Sequence, residues 1–275
     1  MKKFNLHLVS DSTGETVGSV ARAALVQFDD VDAEEFSWTL VRSKAQVEKV
    51  LEEIRKNQGV VMYTLADHNL RDMLKIECNK LRLPCIEVLS SVVNELSNYL
   101  GLESHAQAGK QYELNEEYFT RMDAINYALA HDDGQAHWEM SEADIIILGV
   151  SRTSKSPTCM YLAYKGYKAA NIPLVLDCPL PQGLEQLKKP LIIGLTINPE
   201  RLQQIRKTRL QSLSQEGETN YIDMEYMQQE IAQSRKLFSK NRWPVIDVTK
   251  RSVEETAATI VQYLKKHQEK LEGAS

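Results

Sequence analysis

From Gly149 to Ser156 the chain reads Gly-Val-Ser-Arg-Thr-Ser-Lys-Ser. Gly149, Lys155 and Ser156 stand at three fixed places of the phosphate-cradling pattern G-x-x-x-x-G-K-[ST]. In that pattern backbone N–H groups wrap the phosphates at a helix N-terminus, the lysine reaches the outer phosphates and the hydroxyl holds Mg2+. The sixth place departs, because Ser154 occupies a position where glycine eases the backbone and lets phosphate approach. Arg152 and Lys155 beside the hydroxyls of Ser151, Thr153 and Ser154, with Val150 between strand and loop, gather donors and positive charge in an acidic chain. That combination favours phosphate binding over a helix entrance merely capped by Ser and Thr.

Phosphoryl transfer also asks for a carboxylate to take the proton of the attacking hydroxyl. Asp177 ends the apolar run 172–177, and groups at the C-terminal end of a parallel strand face the ligand crevice of open α/β sheets. It is a candidate base or water-mediated Mg2+ holder, with a loop-capping Asp before Cys178-Pro179 as the plain alternative. Asp132 and Asp133 follow a helix carrying Phe119, Met122, Ile125 and Leu129 at core spacing, where carboxylates oppose the helix dipole. They read as catalytic candidates, or as a solvated helix end with His131 and Gly134 as its stop signal.

Two further groups have phosphate-binding chemistry. Ser10, Asp11, Ser12, Thr13 and Gly14 lie between a strand and a helix but include no lysine. They suit a phosphate or phosphothreonine held by N–H groups and hydroxyls, or a simple cap. Arg201, Arg206 and Arg209 follow a strand, with Arg206 and Arg209 on one helical face at i, i+3. Such arginines clamp a transferring phosphoryl group, or form a solvated basic face. His7, His68, His105 and His137 are scattered singly and are expected in surface or core roles.

The elements that must position these groups alternate. Strands are expected at 4–10, 36–43, 59–66 and 84–90, with helices at 17–28, 44–57 and 68–82. Helices at 90–101 and 115–134, joined by the polar link 103–111, form a connecting region. Alternation resumes with a strand at 143–149, a helix running to Asn171, strands at 172–177 and 190–197, a long helical region from Pro199, a strand at 243–249 and a helix over 252–271. The pattern implies an α/β fold with parallel sheets: an N-terminal α/β domain with its connecting region, 1–140, then a P-loop kinase-like α/β domain, 141–275.

The 275 residues suffice for two such domains, and 43% hydrophobic and 26% charged residues mark a soluble globular chain. A net charge of -5 gives no general footprint for nucleic acid. Neither a signal peptide nor a membrane-spanning run is visible, so a cytoplasmic protein is expected. Cys78, Cys85, Cys159 and Cys178 form no C-x-x-C pair and are expected as small core residues.

The segments Gly149–Thr158, Ser10–Thr16, Ala130–Gly134 and Pro244–Ala257, in their order and nearly end to end, resemble the pyruvate, phosphate dikinase regulatory protein family. Ser154 falls within that family's own version of the loop, and Ser156 keeps the hydroxyl where the family more often has Thr. The resemblance implies an ADP-dependent kinase that inactivates the dikinase on an active-site Thr. It also implies a phosphate-dependent phosphorylase that removes the group as pyrophosphate, with Mg2+ and inorganic phosphate as further requirements. It turns the Asp132-Asp133 reading towards catalysis. A homodimer is compatible with it.

Thr153-Ser154 is more like this branch than the sister group acting on pyruvate, water dikinase, which more often shows Cys-Gly. Apart from the resemblance, the loop also fits a small-molecule P-loop kinase or NTPase, or a non-catalytic nucleotide sensor.

Overall fold

A computed structural model describes residues 1–104, 116–134, 137–212 and 220–273. The chain forms two compact units, Met1–Glu113 and Leu114–Ser275. Each contains a four-stranded, wholly parallel sheet, as the strand and helix alternation predicts.

In the first unit β1 (Lys2–Ser10), β2 (Val31–Trp38), β3 (Gly59–Thr64) and β4 (Cys85–Glu87) stand in the order β2-β1-β3-β4. The first helix, α1 (Glu15–Leu25), follows β1. Ser43 caps α2 (Lys44–Lys56) by accepting the Gln46 N–H, and Asp67 caps α3 (His68–Lys80). Val47, Val50, Leu51 and Ile54 form the buried stripe of α2 at helical spacing. The helix α4 (Ser90–Leu100) ends at a left-handed Gly101.

The second strand lies five residues before its expected place, with Lys2 paired to Val31 and Val9 to Trp38. Leu40 turns the chain at φ 56, and the N–H groups of Leu40 and Val41 then bond Ser12 O and Ser10 O at 3.0 and 2.9 Å. Val41 is buried by this crossing, so an apolar pattern there signals a tucked loop rather than a strand.

The second unit holds α5 (Glu116–Ala130), β5 (Ile145–Val150), α6 (Lys155–Tyr164), β6 (Ala169–Leu174), β7 (Leu191–Thr196), α7 (Pro199–Ser212), α8 (Met224–Asn241), β8 (Val245–Asp247) and α9 (Val253–Glu272). Its sheet order is β6-β5-β7-β8. Every residue of β5 and β7 is buried, the mark of parallel strands covered on both faces. Ile145, Ile147 and Leu195 pack with Leu202 and Ile260, while Ile146, Leu148 and Ile192 pack with Phe238. The 244–257 motif is structural here: Asn198 N–H bonds Thr249 Oγ1 at 2.9 Å, and Ser252 and Glu255 form a reciprocal capping box for α9.

The helix after the loop stops at Tyr164 instead of reaching Asn171. Gly166, at φ 91, turns the chain, and β6 begins at Ala169. Ala169 and Ala170 read as helix formers but pair with Ile145 and Ile146 in the sheet, where small side chains fit beneath packed helices. The expected link 103–111 falls mainly outside the described residues, as do 213–219 of the long helical region, which is otherwise α7 and α8. Cys78 and Cys159 are buried, but Cys178 is exposed, contrary to its expected core role. Among the described residues no helix is long and apolar enough to cross a membrane.

Candidate active site

The phosphate-type loop joins the buried end of β5 to the first turn of α6. A Cβ on Gly149 would lie 2.7 Å from Thr153 Oγ1 and 3.0 Å from Leu195 O, so only glycine lets the loop fold back on its own strand. Thr153 is buried and its hydroxyl donates to Val150 O at 2.9 Å. Arg152 (φ 73) and Ser154 (φ 60) are both left-handed. Left-handed residues within such a loop curl consecutive N–H groups inward, towards an anion. Ser154 therefore takes up the very conformation for which glycine is usual, at a cost of roughly 1 kcal/mol.

Lys155 is only 6% exposed, and its Nζ donates to Val150 O at 3.2 Å. Burial brings its ammonium down from the ordinary 10.5 to about 8, while Asp133 and, less strongly, Asp132 pull the other way. Cys159 lies one turn further along the same helix, and burial pushes its thiol well above the ordinary range. It remains a neutral core group.

The second part of the site is the Asp132–Gly134 turn that closes α5, in which Asp133 is left-handed at φ 52. His131 is buried, with Nδ1–H donating to Tyr127 O at 2.8 Å and its ring stacked on Tyr127. The sequence reading missed Asn171, a fully buried amide on β6. Its Nδ2 donates to Asp132 Oδ1 and to Ser156 Oγ, the latter at 3.4 Å, and its Oδ1 accepts the Asp133 N–H at 3.3 Å. One side chain thus ties the acidic turn to the loop's terminal hydroxyl. Asp132 is half-buried and committed to this link, whereas Asp133 is exposed. A polar residue in the apolar run AANIPL was the available signal.

Arg206 does not reach the site as a clamp. It is 1% exposed, paired with Glu230 at 2.8 Å, and donates to Ser151 O and Tyr221 O at 3.2 and 3.0 Å. Helical spacing put it on a face with Arg209, but the packing of α7 on α8 buries Arg206 and leaves Arg209 and Arg201 exposed. Arg152 donates through Nε to the Tyr221 hydroxyl at 3.1 Å. Asp177 does not close a strand either, since β6 ends at Leu174 and Asp177 sits in an exposed turn at φ 59.

In the first unit Ser10 Oγ accepts the Ser12 N–H at 3.1 Å, and Asp11 Oδ2 accepts the Ala66 N–H. Thr13 Oγ1 receives the Glu15 N–H at 3.5 Å and Gly14 precedes α1 at φ 81. Ser10, Asp11, Ser12 and Gly14 line a cavity of about 600 Å³ together with Arg71 and Lys75. Of the scattered histidines, His7 is a core residue stacked on Phe36 and His68 is exposed; His105 lies outside the described residues.

A family model described as kinase/pyrophosphorylase matches residues 6–261. A protein of Paramagnetospirillum magneticum is 51% identical over 270 residues, covering 98% of this chain and 87% of its own length. Proteins of Erythrobacter litoralis and Caulobacter vibrioides are 47% and 49% identical, over 95% of this chain and 94% and 83% of theirs. All three are provisionally named pyruvate, phosphate dikinase regulatory protein.

Proposed function

The chain belongs to the kinase/pyrophosphorylase family, and from that premise we propose that it regulates pyruvate, phosphate dikinase by reversible phosphoryl transfer. In one direction it moves the β-phosphoryl group of ADP to an active-site Thr of the dikinase, inactivating it and leaving AMP. In the other, inorganic phosphate takes the group back and leaves as pyrophosphate. The names of the relatives support the partner. The observation that carries the chemistry is the juxtaposition, through Asn171, of the Asp132-Asp133 turn with a loop whose lysine is buried.

In this reading the backbone N–H groups of the loop after Val150 and the Lys155 ammonium hold and neutralise the phosphates. Asp133, exposed and held by its backbone to Asn171, accepts the Thr hydroxyl proton as that oxygen attacks phosphorus. When phosphate attacks the phosphothreonine, the same carboxyl returns the proton to the departing Thr oxygen.

The donor set suits Mg2+: the Ser156 hydroxyl and the Asp132 carboxylate are hard oxygens bridged by Asn171. Among the described residues no group of three His, Cys, Asp or Glu forms a metal cage. Mg2+ needs none, because it is usually held by one or two protein oxygens plus phosphates, whose charge it neutralises. Asp177 is the alternative base, and with Arg206 buried the exposed Arg209 is the member of the 206/209 pair left to meet a bound phosphoryl group. Ser10–Gly14 is proposed as a phosphate- or substrate-binding group, from its place between β1 and α1.

The test incubates the protein with Mg2+, ADP labelled in its β-phosphate and phosphorylated pyruvate, phosphate dikinase, then repeats with inorganic phosphate. Label on a dikinase Thr, and its release as pyrophosphate, is expected. Transfer only to pyruvate, water dikinase would move the chain to the sister group. Turnover without any dikinase, or binding without turnover, would overturn the proposal.

A further inference from the structure

The buried Arg206 is too well enclosed to meet a substrate, yet its partners include two residues of the loop's surroundings that phosphoryl transfer itself does not use. Its Nη2 donates to the carbonyl of Ser151, the third residue of the loop, at 3.2 Å. Its Nη1 donates to Tyr221 O at 3.0 Å, and its guanidinium lies 4.6 Å from the centre of the Tyr221 ring. Tyr221 in turn receives Arg152, the fourth residue of the loop, on its hydroxyl. Glu230 on α8, 8% exposed, neutralises the guanidinium from 2.8 Å, although no N–H points squarely at its Oε2.

We infer that Arg206 and Glu230 are a positioning pair that sets the direction of the loop's peptide groups for phosphate. The inference rests on the phosphate-loop reading above. In a trans peptide the C=O and the following N–H point in opposite directions. Holding the Ser151 carbonyl down onto a buried guanidinium therefore turns the Arg152 N–H away from it, to the side where an anion is held. Without that anchor a half turn of the 151–152 peptide would present a carbonyl oxygen, and hence negative charge, to the phosphate. Arginine is required because its fork reaches two carbonyls at fixed geometry, which a lysine point charge does not. Glu230 is required because an unneutralised guanidinium this deep in the protein is strongly disfavoured.

The test uses the full chain and measures thermal unfolding and the binding of ADP and of pyrophosphate by calorimetry. Removing one member strands a buried charge, so the informative variant replaces both, Arg206→Met with Glu230→Met. Apolar substitution of a buried pair preserves or improves stability. The double variant is expected to unfold at or above the wild-type temperature yet bind both ligands about tenfold more weakly, the equivalent of one charge-assisted hydrogen bond. Arg206→Lys, which keeps the charge on Glu230 but loses the fork, is expected to weaken binding in the same way.

Wild-type affinity in either folded variant would overturn the inference and leave the phosphate-loop reading intact, provided Lys155→Ala loses binding. Failure of the wild type itself to bind ADP or pyrophosphate would overturn both.

Discussion

Replacing Lys155 by Met should make the folded protein more stable while removing its function. The ammonium stands down from 10.5 to about 8, chiefly because it is buried. At about 1.4 kcal/mol per tenfold, keeping it charged in the fold opposes folding by roughly 3 kcal/mol at neutral pH. Met has a similar length and no charge to desolvate, and the bond to Val150 O that it loses is worth only about 1 kcal/mol. The net gain is roughly 2 kcal/mol, or about 5 °C in the unfolding temperature of a unit this size.

The pH dependence has a definite sign. Between about 8 and 10.5 the unfolded lysine keeps its proton and the folded one has released it, so unfolding takes up a proton and wild-type stability rises with pH. The variant lacks this rise. Its advantage should be full below pH 8 and fade towards pH 10.5. Thermal unfolding of both proteins at pH 7 and pH 10 by circular dichroism reads it directly. A variant less stable than wild type at pH 7, or a difference that does not change with pH, would show that burial of the Lys155 ammonium does not oppose folding.

Other substitutions test the loop and the acidic turn. Ser154→Gly relieves a left-handed serine at φ 60 and should stabilise the protein by about 1 kcal/mol in denaturant titrations, with ADP binding retained. Gly149→Ala forces a Cβ to within 2.7 Å of Thr153 Oγ1 and should destabilise by roughly 1–3 kcal/mol and weaken nucleotide binding. Asp133→Asn should leave ADP affinity near wild type but lower phosphoryl transfer by about 10²–10⁴, whereas Asp177→Asn should leave transfer unchanged. The opposite ranking would assign the base to Asp177.

The strand, loop and helix around Gly149 were legible because a wholly apolar run of strand length leads into Ser, Thr and Lys, and both signals are local. Ser154 looked like a defect in the pattern, yet its backbone shows what the glycine is for. What sequence could not show depends on partners brought together by the sheet. Asn171 reads as the end of a helix until Ala169 and Ala170 are seen pairing with β5; only then does its amide meet Asp132 and Ser156. Arg206 reads as part of a basic surface face because helical spacing records its charge but not Glu230 on the neighbouring helix. Asp177 moved away from its expected place for the same reason as Asn171, because β6 begins three residues early and ends at Leu174.

Contact between Lys155 and phosphate should show itself as proton uptake on binding. A bound phosphate restores the preference of the buried amine for its charged form. ADP binding near pH 8.5 should therefore draw protons from the buffer, up to about one per site. Calorimetry in two buffers of different ionisation enthalpy measures that number. Wild type should show a substantial uptake that falls away at pH 7. Lys155→Met should show neither binding nor uptake. ADP binding near pH 8.5 with no proton uptake, or binding undiminished in Lys155→Met, would mean that Lys155 does not meet phosphate.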